Sequence, residues 1–269
     1  MGRPVRSADA SSVIGQTRVE MNHAFITAGA FCRARRKLLH TAYVELNNDI
    51  VGIYYRDDDI KRFNGYRLLA FDASRIILPN TKEIKKEFGV RVIANQRDKT
   101  MGEYTSATYE ACYDVLNNMA VRSYFGASNV YEADIAGTML DGLKTDDLLI
   151  FDRGYASYLL MALLIKNHHH FVIRCPHSFL IPVRKMFDPA APDNRTVSID
   201  VPASQRSKAS AMGLPDTIKI RLSKIILSTG EVEVLATSLI DADKFSINDL
   251  KEIYRLRWTV ETFFSKIKG

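Results

Sequence analysis

The sequence predicts an α/β fold: a mixed sheet flanked by helices, with a β-rich insertion and a helical N-terminal segment. Three observations lead there. From Tyr66 onward, short runs of β-branched, aromatic and aliphatic residues recur between turn-forming residues. Helical periodicity separates several of the later runs, the alternation that builds sheets covered by helices. The apolar share, 46% of 269 residues, is enough to bury a substantial core in one large domain or two smaller ones.

Residues 1–60 read as a helical, basic N-terminal region. Residues 17–50 carry the helical pattern, and TRVEMNHAFITAGAFCRARRKL places Arg33, Arg35, Arg36 and Lys37 at the end of an apolar-periodic stretch. The polar run RDDDIKRFNG (56–65) separates this from residues 61–269, read as the main domain. Its expected strands are YRLLAFDAS, RIILP, one around SATYEACYDVL and one around MAVRSYFGAS, with Asn117 and Asn118 marking a turn. A helix across VYEADIAGTMLDGL follows, with Asn129 placed to cap it. LLIFDRG (148–154) reads as a buried strand, SYLLMALLIKN as a helix and FVIRC (171–175) as a further strand.

Residues 176–243 are read as the β-rich insertion. They hold prolines 176, 182, 189, 192, 202 and 215 and end in two alternating strands, IKIRLSKIIL and VEVLATSLI, joined by STGE. The chain then re-enters the main domain through a helix that Ser246 is placed to cap.

The net charge of +6 is unevenly distributed. Residues 1–40 hold seven basic and two acidic side chains and residues 251–269 hold five and two, which leaves the middle of the chain at −2. Basic excess confined to two segments suits a polyanionic partner. The three cysteines, Cys32, Cys112 and Cys175, are far apart and form no CxxC pair, which argues against structural zinc or a disulfide framework and for a reducing compartment. The longest apolar run, YLLMALLI (158–165), falls far short of the roughly 20 residues a membrane span needs. The opening MGRPVRSADASS has no apolar signal core, so neither a membrane nor an export role is expected.

The closing stretch YRLRWTVETFFSKIKG (254–269) sets one glutamate among aromatic and basic residues. On a straight helix drawn from Tyr254, Arg257 falls at roughly −60°, Glu261 at about −20° and Lys268 at about −40°, so the four share one wedge. Ile253, Leu256, Val260, Phe263, Phe264 and Ile267 fall on the other side. An amphipathic helix with a solvated charged face would show the same pattern.

Two aspartates decide between these readings. Asp72 in LLAFDAS and Asp152 in LLIFDRGY each follow four apolar residues and precede small or turn-forming ones. A carboxylate at the end of a buried strand is costly unless it is paired or bound to a metal. Two in the same context, with Glu261 on a helix that must pack nearby, form an oxygen donor set suited to magnesium or manganese. Two such ions about 3.5–4 Å apart serve in-line displacement at phosphorus.

These residues resemble the DDE transposases of the IS4 type, whose catalytic core is RNase H-like. Tyr254, Arg257, Glu261 and Lys268 match that family's Y-R-E-K signature at its spacing, while FDASRIILPNT and LLIFDRGY resemble the segments that hold its aspartates. YDVLN (113–117) and SIDVPAS also resemble parts of the core and insertion, and the likeness spans roughly residues 17–269. Ala73 stands where the family usually has glycine. The resemblance implies that Asp72, Asp152 and Glu261 are catalytic and bind Mg2+ or Mn2+, two ions in all. It implies DNA contacts from Tyr254, Arg257 and Lys268, with Trp258 a candidate for stacking on a base or packing beneath the helix, and Arg153 and Tyr155 further candidates beside Asp152. The implied partners are element ends and target DNA, on which a homodimer would assemble, in a prokaryotic cytoplasm. The implied reaction is strand cleavage followed by strand transfer.

The chain stops one residue after Lys268 and begins like the middle of a DNA-binding region, which reads as a truncated copy. The alternatives are therefore an inactive DNA-binding remnant or regulator, and a structure-directed nuclease on the same core. Other polar residues attract less weight. His168, His169 and His170 point in different directions at a helix end; Asp114 lies mid-strand and reads as structural; Asp57 to Asp59 read as a solvated loop. Ser74 and Ser265 lack His and Asp at a recognisable motif spacing.

Overall fold

The computed structural model describes residues 26–57, 59–94 and 100–268. The chain forms two compact units, Met1–Tyr54 and Tyr55–Gly269. The described part of the first holds helices α1 (Ala28–Arg35) and α2 (His40–Tyr54). Thr27 caps α1 by accepting from the Ala30 N–H, and Arg33 and Arg35 lie in its last turn, where cations complement the helix dipole. The expected helical stretch is interrupted after Arg35: Arg33 and Lys37 would be a like-charge i,i+4 pair in an unbroken helix. Its expected beginning, residues 17–25, lies outside the described residues.

Among the described residues of the second unit, nine strands form one sheet: β1 (Arg67–Leu78), β2 (Arg91–Ala94), β3 (Thr100–Asp114), β4 (Met119–Ala127), β5 (Asp147–Phe151), β6 (His170–Cys175), β7 (Asn194–Asp200), β8 (Thr217–Ile226) and β9 (Val232–Thr237). Their order is β2-β3-β1-β5-β6-β9-β8-β7, with β4 also paired to β3. β1, β5 and β6 run parallel and the other pairings are antiparallel, giving the mixed sheet the sequence predicts. The central strands are buried on both faces, which explains why LLAF and LLIF read as continuous apolar runs.

The helices of this unit are α3 (Lys82–Phe88), α4 (Glu132–Thr138), α5 (Tyr158–Lys166), α6 (Ile181–Met186), α7 (Arg206–Ala211), α8 (Ile247–Leu256) and α9 (Thr259–Lys268). The core on one face of the sheet joins Leu68, Ala70, Leu148, Ile150 and Val172 to Leu250, Ile253, Val260 and Phe264 of α8 and α9. Tyr113 stacks on Phe263, and Tyr109 meets Phe264 edge-on, which fixes α9 against β3.

Several expectations change. The two strands expected within residues 66–79 form one, because β3 pairs continuously with β1 from Leu69↔Asp114 to Leu78↔Thr105 and neither glycine nor proline interrupts Ser74–Arg75. Helix α3, capped by Thr81, and strand β2 were not expected. Tyr131 rather than Asn129 is the N-cap of α4, and its side chain makes no capping hydrogen bond. The β-rich segment 176–243 extends the main sheet, since β9 pairs with β6 from Val172↔Thr237 to Cys175↔Val234. Ser246 does cap α8, in a reciprocal box with Asp249.

The largest correction concerns the closing helix. Arg257, Trp258, Val260 and Glu261 donate to carbonyls three residues back, tightening the chain between α8 and α9 and rotating the two segments relative to each other. Of the expected wedge, Tyr254, Arg257 and Glu261 do not share a solvent-facing surface, and the Lys268 side chain lies outside the described residues. Tyr254 and Arg257 are buried, at 5% and 3% exposure, whereas Glu261 is half-buried.

Candidate active site

Strand alternation places the first two carboxylates. Leu68 and Ala70 on β1, and Leu148 and Ile150 on β5, face the core beneath α8 and α9. Asp72 and Asp152 are the next residues in each series. The parallel register ends at Phe71↔Phe151, so both aspartates directly follow its last partners; Asp152 lies just past the end of β5, whereas Asp72, expected at a strand end, sits midway along β1 because that strand runs on to Leu78 against β3. Neighbouring strands run about 4.8 Å apart, which brings the two carboxylates together without help from a distant loop.

Beyond Phe151 the chain turns through a short 3-10 segment, Arg153–Tyr155, capped by Asp152, whose Oδ1 accepts from the Gly154 N–H at 2.7 Å. Asp72 Oδ1 accepts from the Ala73 N–H at 3.0 Å. Arg257 then joins the strands to the helix. Its Nη2 donates to Glu261 Oε1 at 2.9 Å, and its Nη1 lies 3.6 Å from Asp72 Oδ2. Burial pushes the Asp72 carboxyl up to about 6; the Arg257 guanidinium and the Ala73 N–H oppose that rise, and Asp152 and Glu261 reinforce it. The mutual repulsion means that Asp72, Asp152 and Glu261 share one electrostatic neighbourhood.

The other expected contact residues separate into two groups. Arg153 and Trp258 are exposed, Trp258 at 55%, with the Arg257 guanidinium 5.1 Å from its ring centroid. Tyr254 lies beneath Arg174 and Arg257, each 5.8 Å from its ring, and its buried hydroxyl makes no hydrogen bond. Burial pushes that hydroxyl up to about 12. Lys268 ends α9, and its side chain lies outside the described residues.

Three further side chains border the site, and two of them had no expected role. Glu110 is fully buried on β3, opposite Ala73, and neither of its oxygens has a hydrogen-bond partner. Burial raises its carboxyl to about 9, helped by Glu132 and Asp72 and opposed by the neighbouring Tyr155 hydroxyl. Tyr155 is also fully buried, and its hydroxyl falls short of hydrogen-bond geometry. Glu132 opens α4. Glu110 could have been noticed as the one charge within the apolar and hydroxylic run SATYEACY; Glu132 gives no local signal.

The residues set aside take structural roles. Asp114 is buried and accepts from Tyr55 Oη at 2.7 Å, from the Leu116 and Asn117 N–H groups and from the Asn117 amide. His168 has a positive φ of 60°, and His170 Nδ1 lies 3.3 Å from Ser238 Oγ; the three histidines do not converge. Asp57 and Asp59 are exposed, and Asp58 between them lies outside the described residues.

Among the described residues, no three His, Cys, Asp or Glu side chains are gathered closely enough to enclose a metal ion. The donor chemistry nevertheless fits a divalent cation. The carboxylate oxygens are hard ligands, and the Arg257 guanidinium is a stand-in cation between Asp72 and Glu261. None of the helices among the described residues is long and apolar enough to cross a membrane.

Comparisons with known proteins show the family to which the chain belongs. Residues 63–269 match the family model described as Transposase DDE domain. The chain is 21% identical over 254 residues to the Transposase InsG for insertion sequence element IS4 of Escherichia coli strain K12, a match covering 92% of this chain and 54% of that protein. The chain thus spans about half the length of this curated relative. A cryo-EM structure of a piggyBac transposase synaptic complex with hairpin DNA aligns with 75% of this chain and 40% of its own, at 10% identity and a TM-score of 0.43.

Proposed function

Because the chain belongs to the Transposase DDE domain family, we propose that it acts as a polynucleotidyl transferase that cleaves DNA at insertion-element ends and joins the freed strand to target DNA. The observation that carries the proposal is the placement of Asp72 and Asp152 directly after the last partners of the parallel β1–β5 pairing, with Glu261 linked to Asp72 through Arg257. In this reading Asp72, Asp152 and Glu261 hold Mg2+ or Mn2+, with room in the mechanism for two ions. The ions would supply activation of the attacking oxygen and charge stabilisation at phosphorus.

The chain's own residues divide the remaining work. Asp72 and Asp152 are held by strand register and by the Ala73 and Gly154 N–H groups, so little reorganisation is needed to present them. Arg257 neutralises Asp72 and Glu261 before DNA arrives. Arg153 and Trp258 are exposed for contact with a phosphate and a base respectively. Tyr254 supports Arg257 from below, and Lys268 offers a further positive charge at the end of α9. In hydrolysis the water oxygen bonds to phosphorus, the P–O3′ bond breaks, and a water proton passes to the departing 3′-oxygen. In strand transfer the freed 3′-hydroxyl oxygen bonds to a target phosphorus, the target P–O3′ bond breaks, and the hydroxyl proton passes to the departing target 3′-oxygen.

The test is nicking of supercoiled plasmid in manganese, with DNA affinity measured in parallel. Glu261→Gln is expected to reduce cleavage to background while leaving affinity within about twofold of wild type, because the change removes one anion from a basic helix. Cleavage retained by the variant would contradict the proposal. The guanidinium lying between Asp72 and Glu261 favours a second reading, DNA binding without turnover, in which wild type binds DNA but cuts in neither magnesium nor manganese.

A further inference from the structure

We propose that Glu132 is a fourth carboxylate of the acidic site and shares a divalent cation with Asp152, an inference that rests on the metal-dependent reading above. The observation behind it is a gap at Gly154. A β-carbon on that residue would lie 3.0 Å from Asp152 Oδ1 and 3.4 Å from Glu132 Oε2, so both oxygens converge on the one position of the turn that has no side chain. Gly154 is not in the left-handed region, so backbone conformation does not require glycine there. A side chain there would press on both carboxylates.

The surrounding contacts hold this convergence in place. The Tyr131 hydroxyl donates to the Gly154 carbonyl at 3.1 Å, drawing the start of α4 onto the turn that carries Asp152. Asp152 in turn accepts from the Gly154 N–H. Two unpartnered polar groups lie behind the pair: the fully buried Glu110 carboxyl and the Tyr155 hydroxyl. The Tyr155 hydroxyl is surrounded electrostatically by Glu110, Glu132, Asp72 and Asp152. Arg75 is the nearby positive charge that acts on Glu132.

A glutamate in the first helical turn is ordinarily explained by the helix dipole. That explanation accounts for its sequence position but not for a half-buried side chain whose oxygen approaches another carboxylate. Two like charges facing one position of the turn repel each other, and an external cation or a proton relieves that repulsion. The oxygen donors select a hard ion, magnesium or manganese, over a softer one.

The test uses the full 269-residue chain without DNA, titrated with Mn2+ and followed by electron paramagnetic resonance of the free ion. Wild type is expected to bind, and Glu132→Gln and Asp152→Asn are each expected to weaken binding by about tenfold or more. Thermal unfolding in EDTA identifies any loss caused by misfolding, and Glu132→Asp, which keeps the charge on a shorter side chain, is expected to retain part of the affinity. If Asp152→Asn weakens Mn2+ binding but Glu132→Gln does not, the Glu132 assignment is overturned and the catalytic reading stands. If wild type does not bind, or if substitutions at Asp72, Asp152 and Glu261 all leave binding unchanged, both fail.

Discussion

At Glu110 the fold keeps a carboxyl group in the sheet with no hydrogen-bond partner, on the strand that also pairs with the Asp72 backbone. Burial raises this group to about 9, far above the usual carboxylate range near 4. The folded protein therefore holds a proton that the unfolded chain has released, and stability from this group falls as pH rises from about 4 towards 9. Glu110→Gln keeps the shape and removes the titration. In EDTA its melting temperature is expected to exceed that of wild type by an amount that grows with pH, reaching several degrees by about pH 9. Parallel pH profiles for the two proteins would show that Glu110 is not held neutral.

The elements that place the site are fixed by pairings at the far end of the same strands. Arg67 and Asp147 are register partners on β1 and β5, and the guanidinium donates to both carboxylate oxygens, at 2.6 and 2.8 Å. Asp147 is fully buried and also accepts from the Lys144 N–H at 2.7 Å, while Arg67 lies over the Tyr55 ring at 4.5 Å. Removing the anion strands a buried cation. Asp147→Asn is expected to cost on the order of 3 kcal/mol in urea unfolding; a loss below about 1 kcal/mol would show that the pair does not hold the register. The central strands were legible because burial on both faces makes them continuously apolar, and the cap of α8 was legible from Ser246. The tightening between α8 and α9 was not, because it contains neither glycine nor proline and coincides with the docking of Arg257 between Asp72 and Glu261.

On the scale of the whole molecule, the nine-stranded sheet carries both the site and the β-rich segment, so residues 176–243 extend the scaffold. The sequence pointed to Asp72, Asp152 and Glu261 through their local motifs. Glu110 and Glu132 approach them only through β3 and the start of α4, and such long-range convergence leaves no periodic mark in a single chain. The most direct measurement is a crystal structure with manganese and an anomalous difference map. The account predicts a peak touching both Asp72 and Asp152, with Arg257 withdrawn from Asp72. Manganese absent from all three carboxylates, with the guanidinium still between Asp72 and Glu261, would contradict it.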